Sequence, residues 1–185
     1  LNEFNKFLTI MCGELDRCGN IISGLLSFSR EPVLEYRDID IHDVLDSVIT
    51  LTGHKMELQE IKLETDFFPR PLILRGDVNQ LQQCFLNLIF NAIEAMPEGG
   101  TLRLSSNLRA DKEKMIIFVK DTGCGIKEDV KEHIFDPFFT TKGEGEGTGL
   151  GLSIVYGIVK AHNGEIKVES DEGRGTTIKV TLPVH

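Results

Sequence analysis

The chain has 185 residues, which suits one ordinary domain with an appendage, and 41% of them are apolar, enough to bury a core. Lysine and arginine number 20 against 29 aspartates and glutamates, a formal charge of −9 with no basic run; that balance argues against nucleic-acid binding and against an electrostatic membrane anchor. No apolar run approaches the roughly 18 residues that a membrane span needs, and no signal peptide is visible.

Residues 1 to 30 carry Leu1, Phe4, Leu8, Met11, Leu15, Cys18, Ile22 and Leu25 at alternating spacings of three and four. This a/d seam predicts one long helix that needs a partner, as in a coiled coil or an intersubunit bundle. Pro32 ends it, and a linker is expected up to residue 39. Asp40 can cap a second helix, with Asp43 three residues on and Ile41, Val44, Leu45, Val48, Ile49 and Leu51 on the inner face. Alternation from Glu60 to Phe68 predicts a strand, broken by Pro69 and Pro71, and Leu72 to Leu74 a short one. Asp77 starts a long helix with Val78, Leu81, Phe85, Leu88, Ala92 and Met96 on its apolar face. Strands are expected at Thr101 to Leu108 and Met115 to Lys120, then a short helix at Lys127 to Ile134. A helix from Leu150, a strand at Glu165 to Ser170 and a last strand ending at Leu182 complete the chain. Strands and helices are mixed without βαβ alternation. The expected class is α+β: a two-layer sandwich, a mixed sheet with helices on one face, preceded by the coiled-coil-like helix. The cysteines, Cys12, Cys18, Cys84 and Cys124, form no CxxC pair and are expected as free thiols in a reducing compartment.

Four stretches carry candidate chemistry. Gly143, Gly145, Gly147, Gly149 and Gly151 make a permissive loop that feeds into a helix. A helix N-terminus offers unpaired N–H groups and the positive dipole end, a place for phosphate; the bland alternative is a surface linker. On the helix from Val78, Gln83, Asn87, Asn91 and Glu94 form one polar stripe. Solvent faces favour lysine and glutamate, whereas asparagine is a mediocre helix former, so two asparagines one turn apart suggest amide oxygens kept for a hard cation such as Mg²⁺. Asp121-Thr-Gly123-Cys-Gly125 follows a strand. A carboxylate only accepts, so it would select an exocyclic amino group as on adenine, with the two glycines expected to let a flat ring approach; the bland alternative is a plain turn. Phe135-Asp-Pro-Phe-Phe139 followed by Thr-Thr-Lys142 would anchor one end of a mobile lid, from which Lys142 could reach a terminal phosphate as a point charge; the bland alternative is a hydrophobic plug with a Pro turn.

Together these stretches resemble sensor histidine kinases of two-component systems. Asn87-Leu-Ile-Phe-Asn91-Ala-Ile-Glu-Ala matches their N box, and Asp121 to Gly125 the first glycine box. Phe135 to Phe139 matches the F box, Gly147-Thr148-Gly149-Leu150-Gly151-Leu152 the second glycine box, and Gly173-Arg-Gly-Thr176 the third. The wording is most similar to the nitrogen-regulation type. The resemblance covers about residues 40 to 183 and implies the ATP-binding catalytic domain of the gyrase, chaperone, histidine kinase and MutL superfamily. It implies Mg²⁺ at Asn91 and Asn87 supporting the phosphates and the chemistry, with Lys142 as a second catalytic group. It further implies the adenine amino group on Asp121 beside Gly123 and Gly125, Thr176 nearby through water, and phosphates on backbone N–H groups from Gly147 to Leu152. Residues 1 to 31 resemble the second helix of the dimerisation and phosphotransfer hairpin, 32 to 39 its linker, and 40 to 185 the catalytic domain.

The function implied is transfer of the ATP γ-phosphate to a histidine on that hairpin and relay to an aspartate of a response regulator receiver domain. A cytoplasmic homodimer is implied, with no nucleic-acid or membrane contact in this region and any membrane anchor upstream. The histidines are His42, His54, His133, His162 and His185, none of them in the N-terminal helix, and the chain opens on Leu1. The expectation is that the acceptor helix has been cut away. Two rival readings stay open: an ATPase switch of the same superfamily, and a nucleotide-sensing dimerisation module without transfer activity.

Overall fold

A computed structural model of the chain describes residues 35–141 and 147–185. The expected N-terminal heptad helix lies outside the described residues, as do Lys142 and the first lid glycines. Strand β1 (Arg37–Asp40) leads into α1 (Ile41–Leu58), followed by β2 (Ile61–Asp66) and β3 (Ile73–Gly76). Helix α2 (Val78–Glu94), β4 (Gly100–Leu108) and β5 (Lys114–Asp121) come next, then α3 (Gly151–Ala161), β6 (Glu165–Asp171) and β7 (Gly175–Pro183).

The two N-terminal helix starts are where aspartate puts them. Asp40 accepts from His42 N and Asp77 from Gln80 N, each satisfying a donor that the first turn cannot. The main sheet has the order β2-β4-β5-β7-β6, with β2 parallel to β4 and every other pair antiparallel. Alternation along these strands sends Leu102, Leu104, Met115, Ile117, Val119, Ile178, Val180 and Leu182 to one face, where all are buried. Phe85, Leu88, Ile89 and Ile93 of α2, Leu45 and Val48 of α1 and Val155 and Val159 of α3 meet them there. Residues of opposite parity, such as Arg103, Lys120 and Glu165, are exposed. The expected mixed sheet with helices on one face is the observed one.

Two elements depart from the sequence reading. The end of the expected linker is a strand: Arg37–Asp40 pairs antiparallel with β3, Arg37 opposite Gly76 and Asp40 opposite Ile73. The expected helix at Lys127 to Ile134 is reduced to a 3-10 turn at Glu128–Val130. Among these residues only Ile134 is buried, so there is no apolar stripe to hold a longer helix against the core. Cys84 and Cys124 are free thiols, as expected. Cys84 is wholly buried, and burial pushes its thiol up to about 12, so it behaves as a small hydrophobe.

Candidate functional site

Asp121 closes β5 on the helix-facing side of the sheet and is 5% exposed. Its Oδ1 accepts from Gly123 N at 2.8 Å and from Thr176 N at 3.1 Å. Oδ2 has no hydrogen bond to another residue among those described. Burial raises the carboxyl above its ordinary value, and the two amides pull part of the way back. The result is a fixed carboxylate with one oxygen engaged and one left for an amino group.

Ser170, which the sequence reading did not single out, holds this corner together. Its Oγ donates to Gly175 O at 2.9 Å and accepts from Ile126 N at 2.9 Å. Thr176 Oγ1 stands 2.9 Å from the same oxygen. Ser170 has one proton, already given to Gly175, so Thr176 is the donor of that pair and keeps lone pairs for a water or a ligand. The signal was present: Ser170 is an inward position of β6, directly opposite Thr176.

Gly123 and Gly125 lie beside Asp121 as expected, and the backbone also requires them as glycines. A Cβ on Gly123 would strike the carbonyl of Ala95, and one on Gly125, at φ 70°, the carbonyl of Asp171. They admit the protein's own backbone: Cys124 N donates to Ala95 O at 3.0 Å and Gly173 N to Cys124 O at 2.7 Å. The glycines thus tie the end of β5 to the end of α2 and to the β6–β7 turn, a structural role beside the expected one of making room for a ring.

Asn87 and Asn91 both face the start of α3. Asn87 Nδ2 donates to Gly151 O at 3.3 Å, and Asn91 Nδ2 stands 3.8 Å from where a Cβ would sit on Gly151. Gln83 is half-buried on the same stripe, and Glu94 is exposed. The other two helices have aspartate caps, whereas α3 begins at Leu150 with no side-chain cap. Leu150 N reaches only Thr148 Oγ1, at 3.4 Å. The N–H groups of Gly151, Leu152 and Ser153 therefore start a helix with the positive dipole end uncompensated, the condition for holding phosphate. Leu150 is buried and Leu152 packs on the core, so these two contribute backbone, not side chain, to any ligand. Gly147 and Gly149 are half-buried in irregular chain, and Gly149, at φ 65°, lies against the backbone of Phe138. The F box is thus in contact with the second glycine box. Phe135 lies 5.7 Å from the Tyr156 ring of α3, and His133 pairs with Asp136 at 2.8 Å.

The structure therefore gathers Asn87, Asn91, Gly147, Thr148, Gly149, Leu150, Gly151 and Leu152 at one helix junction. It places Asp121, Gly123, Gly125 and Thr176 at the adjoining corner. Lys142 lies outside the described residues. Among those described, no three imidazole, thiolate or carboxylate groups come together to hold a metal by themselves.

Comparison with known proteins agrees with this geometry. Residues 76–185 match the family of histidine kinase-, DNA gyrase B- and HSP90-like ATPases. Sporulation kinase E of Bacillus subtilis (strain 168) is 34% identical over 182 residues, which are 98% of this chain and 24% of that protein; the chain thus spans about a quarter of that relative's length. The nucleotide-free catalytic domain of histidine kinase ThkA superposes with a TM-score of 0.72 at 32% identity, covering 80% of this chain and 97% of that one. ThkA in complex with response regulator protein TrrA gives 0.81 at 30% identity, covering 97% and 51%. The chain belongs to the histidine kinase-, DNA gyrase B- and HSP90-like ATPase family, and within it to the sensor histidine kinases.

Proposed function

We propose that this chain is the ATP-binding catalytic region of a two-component sensor histidine kinase. It passes the γ-phosphate to a histidine on a helical hairpin, for relay to an aspartate of a response regulator. The observation that carries the reading is the pair of contacts at opposite ends of the site: a buried carboxylate with one free oxygen at Asp121, and an uncapped helix start beside Asn87 and Asn91. The first recognises the adenine amino group and the second the phosphates, with Thr176 reaching the base through water.

Phosphoryl transfer asks mainly for positioning and charge neutralisation. The amides of Gly151 to Ser153 meet the phosphate oxygens. Asn87 holds α3 in place through Gly151 and offers its own amide oxygen. Asn91 supplies a hard neutral oxygen that fits Mg²⁺, which keeps water and phosphate as its other ligands and would neutralise charge on the transferring group. Lys142 brings a point charge from the lid. A carboxamide at position 87 has no pKa suited to deprotonating water, which favours transfer to an external acceptor over hydrolysis and weighs against the ATPase switch.

Residues 1 to 31 are assigned to dimerisation and to one helix of the hairpin. Among the described residues no helix is long and apolar enough to cross a membrane, and a cytoplasmic setting supplies the ATP and the response regulator. The experiment is complementation in trans. The chain is incubated with γ-labelled ATP and a related kinase that keeps its hairpin but carries a dead ATP site. Acid-labile, base-stable label on the hairpin histidine is expected; phosphate release with no transfer would instead support the ATPase switch.

A further inference from the structure

Helices α2 and α3 run antiparallel and are fastened at both ends. At the site end the fastening is Asn87 Nδ2 to Gly151 O, at 3.3 Å. At the far end Asp77 N donates to His162 Nε2 at 3.0 Å. His162 is the C-cap of α3 and is 2% exposed, with Nδ1 2.8 Å from Ile158 O. A carbonyl only accepts, so Nδ1 carries a proton; an amide N–H only donates, so Nε2 is bare. One neutral tautomer satisfies both bonds. The ring also occupies the space over Gly76, where a Cβ would meet it at 2.7 Å.

The segment entering the domain docks on this same ring. Tyr36 lies 5.3 Å from it, centroid to centroid, and donates its hydroxyl to Ala161 O at 2.7 Å. Glu35 N donates to Asp77 Oδ2 at 3.1 Å, while Asp77 Oδ1 caps α2 through Gln80 N at 3.1 Å. Burial, and then the Asp77 charge, raise Tyr36 above the usual phenol value, so its hydroxyl remains a donor. These contacts are remote from the nucleotide: α3 alone puts about 16 Å between its two ends.

We propose that Tyr36, His162 and Asp77 form a latch through which the entering segment sets the register of α2 against α3, with His162 as a positioning residue for the nucleotide. The affinity readout rests on the nucleotide reading above; the latch itself does not. Asn87 and Asn91 ride on α2 and the phosphate-facing amides begin α3, so a slide of one helix along the other changes how far apart they stand. Packed helices slide between discrete arrangements and do not deform continuously. A proton on Nε2 would set N–H against N–H at Asp77 and open the latch. The groups in contact with the ring are Tyr36 from the β1 side and Asp77 N at the start of α2, while Arg75 and His185 line the surface pocket beside it.

The test compares wild type, His162→Gln and Tyr36→Phe by calorimetry with Mg·ADP at about pH 8. Hydrogen exchange without nucleotide runs in parallel. Glutamine keeps an oxygen for Asp77 N and gains no proton. Tyr36→Phe keeps the ring and loses only the bond to Ala161. At about pH 8, Tyr36→Phe should weaken Mg·ADP about three- to tenfold. His162→Gln, which keeps the acceptor for Asp77 N, should hold Mg·ADP affinity within about threefold of wild type. In exchange, Tyr36→Phe should loosen amides 78 to 81 and, at the far end of α3, amides 151 to 155. A Tyr36→Phe variant that binds Mg·ADP as tightly as wild type overturns the proposal, as do exchange changes confined to residues 35 to 37 and 161 to 163. If His162→Gln does not fold, the Tyr36→Phe arms decide. A wild type that binds no ADP while exchange still spreads to residues 151 to 155 would sink the nucleotide reading and leave the latch standing.

Discussion

The Asp121 carboxylate and the backbone amide of Thr176, 55 residues apart in sequence, meet at 3.1 Å. This bond fixes the end of β5 against the start of β7 and holds Oδ1, so that Oδ2 is the oxygen left for the proposed base contact. Asp121→Asn should keep both backbone bonds through its amide oxygen while turning an NH₂ group towards the ligand. ATP affinity should then fall by at least about tenfold, since a donor would face a donor. Competition with a fluorescent ATP analogue measures it; unchanged ATP affinity would remove Asp121 from the site.

The same substitution should raise stability without ligand, because burial of the charge is the larger influence on Asp121. The folded carboxyl sits above its value of 3.8 in the open chain. Its contribution to stability is therefore fully present below the open-chain value and is lost as pH rises through the folded one. Melting temperatures of wild type and Asp121→Asn should differ most at neutral pH, with the variant higher, and converge as pH falls through the folded value. A variant that melts lower than wild type at neutral pH would contradict this.

Asn91→Ala should weaken Mg·ATP by about tenfold or more while leaving binding without Mg²⁺ nearly unchanged, because the lost group is an oxygen for the ion and not for the base. Titrations with and without the metal separate the two. Equal losses would point to a direct nucleotide contact instead.

Gly125→Ala should cost about 1–3 kcal/mol in urea unfolding, through a positive φ and a clash with the Asp171 carbonyl. Gly173→Ala, also at positive φ but with open space around it, should cost less. Equal costs would mean that φ alone, and not the close approach, governs Gly125.

Much of this was legible because it is local. Asp40 and Asp77 announce helix starts through their own side chains, and strands β4 and β5 through alternation over consecutive residues. What was not legible depends on partners distant in sequence. Strand β1 has only four residues, two of them charged and exposed, and exists because β3 offers an edge. Gly123 and Gly125 were assigned to a ligand alone because nothing nearby in sequence reveals that Ala95 and Asp171 approach them. Ser170 and His162 earn their roles from bonds to Ile126 and Asp77, which no periodicity encodes. The charged stretch at Lys127 to Ile134 had helix formers but no apolar face, and there composition misled.

Residues 140 to 149, proposed as a lid, should gain protection from hydrogen exchange with a non-hydrolysable ATP analogue and much less with ADP. Its glycines make ordering entropically costly, and a third phosphate adds contacts that offset the cost. Lys142→Ala should reduce that difference. Equal exchange in the free, ADP and ATP-analogue states would withdraw the role given to Lys142.

The central claim is an adenine nucleotide held between Asp121 and the start of α3, and calorimetry of the unmodified chain with Mg·ATP and Mg·GTP tests it most directly. ATP should bind in the micromolar to millimolar range and GTP at least about tenfold more weakly. Equal affinities, or no heat with either nucleotide, would contradict the account.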